Sequence, residues 1–309
     1  MDSAALVTVA DLSDYIRLDP KQFLGIPLAL VGAVFLSLGA QFQHRGVARV
    51  ESTTGATLGT GLSGSQIWHL LLRPSWVAGT LMLGLAVTFQ LGSLYFAPII
   101  VVQPLGAIAL VITSIINSRV NKVQLNMPSI IAIVMCVGGI FLFVGVAAFT
   151  AVDPVVTDQH LFIIILLLIG VLLIASSVFR RFRQRIRAIF YVLMAGVLYG
   201  FVATLAKMVL GRIHQGQVDW LTILCVVGLL GAAGIGGYFV QNAYSSGPPD
   251  LVIAGLTVVD PLVAVAIGIL VLNEASQAPL WAMPVFIVAG AIAVLGVFQL
   301  GRHHPQSRS

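Results

Sequence analysis

Nine stretches of about 20 residues, long enough to cross a hydrocarbon core of about 30 Å, recur at 23–43, 76–96, 99–118, 129–149, 160–179, 188–210, 221–243, 251–272 and 280–300. Between them they hold two charged residues, Lys207 and Asp260. A soluble domain has no use for that pattern, and with only 9% of residues charged the chain lies far below the roughly 25% of soluble proteins. A chain crossing lipid must satisfy its backbone internally, and spans of this length do so as helices. The sequence therefore predicts an all-α polytopic membrane protein with about nine transmembrane helices.

The charges outside the spans are unevenly shared. Arg45, Arg49, Arg73, Arg119, Lys122, the five arginines of "RRFRQRIR" at 180–187, Arg302 and Arg308 gather on one side, against Arg17, Lys21 and Arg212 on the other. The positive-inside rule then predicts a multi-pass protein of the cell membrane, with the N-terminus outside and the C-terminus cytoplasmic. These basic loops read as topology signals and lipid contacts, so the net charge of +5 does not call for nucleic acid. Asp2, Asp11, Asp14 and Asp19 take the place where a cleavable signal would carry a basic segment and an apolar core. Cys136 and Cys225 fall within apolar runs and read as packing residues.

A shift of 151 residues lays the chain on itself: Gln90 on Gln241, Pro98 on Pro249, Leu105 on Leu256, Pro128 on Pro279, Gly139 on Gly290 and Gly145 on Gly296. Spans two to four are thus relatives of spans seven to nine, and span one pairs more loosely with span six. The expected organisation is an extracytoplasmic segment 1–22, a first four-helix repeat 23–150, an extra helix 160–179, a second repeat 188–300 and a cytoplasmic tail 301–309. An odd helix between the repeats inverts the second one. Inverted repeats underlie alternating access, with the site near the midplane.

The same shift puts Ala109 opposite Asp260 and Leu110 opposite Pro261, so the carboxylate belongs to one half only. An aspartate at mid-membrane costs roughly 2.5–3.5 kcal/mol on insertion scales, which makes Asp260 the first candidate for the pathway, as proton site or metal ligand. Pro261 cannot donate to the carbonyl of Thr257, and Thr257 lies on the same helix face. Lys207, about one turn from the outer end of its span, could snorkel, hold an anionic group or pair with Asp260. Gln41, Gln90, Gln103, Gln241 and Asn242 add neutral amides. They read as interhelical hydrogen bonds or, taken together, as a hydrated cavity. Pro104 and Pro261 mark helix breaks. "GLLGAAGIGG" at 228–237 and Gly138-Gly139 read as close helix packing, and His303-His304 as a solvated tail. Nothing is arranged as a catalytic set, so no enzyme is expected.

The block "SWVAGTLMLGLAVTFQLGSLYFAPIIVVQPLGAIALVITSIINSRVNKVQLN" at 75–126, with its "FAP" turn and "QPLGA", resembles the NIPA-like magnesium transporters of the drug/metabolite transporter superfamily. "YGFVATLAKMVLG", including Lys207, is similar to the same family. "VVDPLVAVAIGILVLNEA" at 258–275 resembles the superfamily's EamA-type repeat, a proline followed 13 residues later by a glutamate. The resemblance implies an inverted-repeat transporter with Mg²⁺ as its transported ion and no resident cofactor. The rival cargo is a small organic solute, proton-coupled or facilitated, and a non-transporting scaffold is the third reading. The expected partners are the lipid bilayer and the cargo, with a homodimer compatible and nucleic acid excluded.

Overall fold

A computed structural model describes residues 22–54, 72–120, 127–182, 188–246 and 249–302. The expected N-terminal segment up to residue 21, and the tail from His303 onward, lie outside the described residues. The elements are α1 (Gln22–Thr54), α2 (Pro74–Phe96), α3 (Ile99–Gly106), α4 (Ile108–Val120), α5 (Met127–Thr150), α6 (Asp158–Phe182), α7 (Ala188–His214), α8 (Trp220–Ser246), α9 (Pro249–Leu270) and α10 (Ala282–Arg302). No strand occurs among the described residues, and nine stretches there are long and apolar enough to cross a bilayer, α3 and α4 together making one. The all-α, multi-pass reading stands.

The third span is broken where the sequence placed a break. Pro104 lies inside α3, and the chain tightens after it, with the Ala107 amide donating to the Pro104 carbonyl at 3.2 Å and the Leu110 amide to the Ala107 carbonyl at 3.2 Å. Pro261 behaves differently: α9 runs through it without interruption. The expected break at Pro261 is therefore corrected to a missing donor inside a continuous helix: proline's fixed φ is compatible with helical backbone, and the helix carries on past the lost N–H.

α1 packs along α2 as α7 packs along α8, α1 meets α3 and α4 as α7 meets α9, and α5 lies against α10. The extra helix α6 packs on α7 and α8. Small residues bring these pairs close, since helices in lipid associate through close packing. Gly25, Gly32 and Gly39, one every seventh residue of α1, face α2; a Cβ on Gly39 would sit 3.0 Å from the Gly79 carbonyl. Between α5 and α10, a Cβ on Gly139 would meet the Ala293 amide nitrogen at 2.6 Å, and one on Gly296 the Cys136 amide nitrogen at 2.5 Å. Gly228 and Gly236 also face packed side chains, whereas Gly138, Gly231, Gly234 and Gly237 face open space. The packing reading of those glycine runs therefore holds only in part. Large apolar side chains such as Phe141, Leu81 and Ile287 cover the outside. Cys136 and Cys225 are buried and unbridged.

One polar knot ties the α6, α7 and α8 ends. Buried Arg212 pairs with Asp158 at 2.8 Å and Asp219 at 2.7 Å, and bonds Gln217 at 2.6 Å. Asp219 also caps α8 by accepting from the Thr222 amide at 2.9 Å, which chiefly holds its carboxyl below the usual range.

Candidate functional site: an interhelical cavity and a cage beside it

α1, α2, α3, α7 and α9 enclose a cavity of about 630 Å³. Its polar lining is Gln90, Gln103, Tyr199, Thr257 and Asp260, set among residues such as Leu36, Val87, Leu91 and Val202. Asp260 reaches it from the middle of α9, where Gly196 of α7 gives Val259 room to pack closely. Its Oδ1 is buried and has no hydrogen-bond partner among the described residues. An unpaired buried acceptor carries the full cost of lost hydration, so this oxygen marks the place where a ligand or proton would stabilise the protein. Thr257, one turn earlier, spends its hydroxyl on the Ile253 carbonyl at 2.8 Å. Pro104 and Pro261 also line a second, apolar cavity of about 70 Å³ between α3, α5, α9 and α10.

Five of the sequence candidates thus come together: Asp260, Gln103, Gln90, Thr257 and Pro261. Three do not. Gln241 is exposed on α8, Asn242 bonds the Tyr238 carbonyl of its own helix at 2.7 Å, and Gln41 is half-buried away from the lining. The 151-residue shift pairs Gln90 with Gln241, but of the two only Gln90 lines the 630 Å³ cavity.

Lys207 differs most from expectation. α7 continues to His214, so the residue lies two turns inside the helix end, and at 6% exposure it does not snorkel. It pairs with Asp153, not Asp260: Nζ lies 2.9 and 3.0 Å from the two carboxylate oxygens. It also donates to the Leu94 and Ala97 carbonyls, each at 2.8 Å. An ammonium has three N–H donors, and here all are satisfied. The two carbonyls are orphans of the α2 C-terminus, where a cation is favoured.

Beside this cage sits a carboxylate of the 258–275 stretch to which the sequence attaches no role. Glu274, fully buried, accepts the Ile99 and Ile100 amides at 2.9 and 2.8 Å, capping α3, while its own carbonyl accepts the Val152 amide at 2.8 Å. Gly268 leaves the space, since a Cβ there would be 2.9 Å from Oε2. Burial pushes the Glu274 carboxyl up to about 7, against the lowering pull of Lys207 and the two amides; Asp153 raises it. Glu274 lies beyond its span, where a polar residue draws little notice, and Asp153 sits in a connection; only their shared approach to Lys207 marks them.

Comparison with known proteins adds the family. The model of the magnesium transporter NIPA family matches residues 21–223, about two thirds of the chain; Lys207 and Asp153 fall inside that stretch, Asp260 and Glu274 outside it. An uncharacterised protein of Corynebacterium glutamicum is 25% identical over 294 residues, covering 91% of this chain and 96% of the relative. The mouse protein named magnesium transporter NIPA4 is 25% identical over 193 residues, 60% of this chain and 46% of the relative. An Arabidopsis thaliana protein named probable magnesium transporter NIPA1 is 25% identical over 123 residues, 40% of this chain and 35% of the relative. The chain thus spans under half the length of these named magnesium transporters. No solved structure matches. With its bundle of apolar helices and a family match running from α1 into α8, the chain belongs to the NIPA magnesium transporter family.

Proposed function

We propose that the protein carries Mg²⁺ or a similar divalent cation across the cell membrane by alternating access, with the cavity as the cargo site. The observation that carries this is the buried, unpartnered Oδ1 of Asp260 on a cavity that also presents Gln90, Gln103 and Thr257. Mg²⁺ takes oxygen ligands, keeps several of its waters and is commonly held by one or two carboxylates. At a share of about 30 Å³ per water, a cavity of about 630 Å³ holds the ion with its retained waters. Asp260 supplies the charge, and the amide oxygens can orient the hydration shell. The Thr257 carbonyl, which Pro261 leaves without its helical donor, is a further acceptor on the same helix. The repeats rock about this site, with the N-terminus outside and the C-terminus cytoplasmic, as in the drug/metabolite superfamily.

One observation favours a second cargo: the lining is mostly apolar and its volume lies in the range of small-molecule sites, about 300–1,000 Å³. A small organic solute would then occupy the cavity, with Asp260 taking a proton. The test is Mg²⁺ uptake into proteoliposomes under set pH gradients, comparing the native protein with Asp260→Asn. Saturable uptake that the variant loses supports cation transport. Absence of uptake by folded, inserted native protein turns the reading to the organic solute.

A further inference from the structure

The ammonium of Lys207 occupies a space that would suit a metal ion. Four oxygens surround it at 2.8–3.0 Å: the carbonyls of Leu94 and Ala97 and both carboxylate oxygens of Asp153. Carbonyls plus a carboxylate are the donor set of hard divalent cations, and the Glu274 carboxyl is near enough to couple electrostatically with Lys207. The cage adjoins the cavity directly, because Leu94 and Ala206 line the cavity while the Leu94 carbonyl and the next residue, Lys207, build the cage. It lies at the bundle end that carries the connections 151–157 and 271–281.

We propose that this cage is a second divalent-cation site on the pathway, filled in the present state by Lys207 as a tethered competitor. An arriving cation replaces the ammonium among the same oxygens, and Lys207 is driven away from the metal by charge repulsion. The seal that Lys207 makes between α7, the end of α2 and the Asp153 connection then opens. Departure of the cation lets the ammonium return. The inference extends the cation reading of the cavity and uses none of its ligands.

The test uses Mn²⁺ as probe and the full chain in lipid nanodiscs, throughout in Asp260→Asn so that the cavity carboxylate cannot contribute. Bound Mn²⁺ is counted by electron paramagnetic resonance. Adding Lys207→Met should create one bound equivalent at least about tenfold tighter than in Asp260→Asn alone, and adding Asp153→Asn should remove it. If Lys207→Met binds no more Mn²⁺ than its parent, Lys207 only caps α2 and the inference is overturned. The second measurement keeps the native lysine and needs no cage variant: the rate at which Lys207 reacts with an amine-selective acylating reagent. Saturating Mn²⁺ should raise that rate about tenfold, whereas an unchanged rate overturns the proposal. Failure here leaves the cavity untouched, and loss of Mg²⁺ uptake in Asp260→Asn tests the cavity without bearing on the cage.

Discussion

Two lone charges in apolar helices, Asp260 and Lys207, end in opposite circumstances. Lys207 has every donor satisfied by oxygens from two parts of the chain, the end of α2 and the Asp153 connection, whereas Asp260 keeps one buried oxygen without a partner among the described residues. The difference follows from where each sits. Lys207 lies near helix ends, where terminal carbonyls and a loop aspartate are at hand. Asp260 lies at mid-helix, where neighbouring backbones spend their polar groups on themselves and only side chains can help. A satisfied charge holds structure together, and an unsatisfied one waits for something to bind.

If that contrast is right, the two charges should respond differently to removal. The largest expected effect is on transport. Asp260→Asn should abolish saturable Mg²⁺ uptake, while its unfolding midpoint in detergent stays level or rises, since it deletes an unpaired charge and keeps the shape. Lys207→Met should do the reverse to stability. Without divalent cations it strands Asp153 and two carbonyls, and breaking a buried pair costs about 3–5 kcal/mol, the lower end applying because Asp153 is 35% exposed. A clear fall in the unfolding midpoint, partly restored by Mn²⁺, is the outcome to look for by thermal denaturation.

Glu274 gives a pH test of the cage side. Its carboxyl is raised from 4.5 to about 7, so the folded protein binds more protons there than the unfolded chain. The associated stability is therefore full below about pH 4.5 and is lost as pH rises towards 7. Its charged neighbours are Lys207 and Asp153, and the Ile99 and Ile100 amides complete the surroundings. Thermal unfolding of the native protein should show this loss between pH 5 and 8, and Glu274→Gln should flatten it. The smallest effects separate the two related glutamines: Gln90→Ala should weaken Mg²⁺ uptake several-fold, while Gln241→Ala, on the exposed face, should stay within about 0.5 kcal/mol of native stability and transport normally.

Much of the frame was legible because it rests on local rules. Spans follow from apolar length, and the break in the third span from Pro104. The cavity was legible at Asp260, Gln103, Gln90 and Thr257, since polar groups inside a span are costly enough to stand out. The partners of Lys207 were not. Asp153 is 54 residues away in a connection where acidic residues are ordinary, and two of the ligands are main-chain carbonyls, which every residue has. Gln241 misled for a related reason: a position matched by a sequence shift says which helix it is on but not which neighbour covers it.

The most direct test of the central claim is the rate at which a carbodiimide modifies Asp260, read by mass spectrometry of its peptide with and without Mg²⁺. Bound cation should cover the free oxygen, so Mg²⁺ should slow modification in a saturable way that Ca²⁺-free, Mg²⁺-free controls lack. Modification of Asp260 at the same rate at every Mg²⁺ concentration would contradict the account.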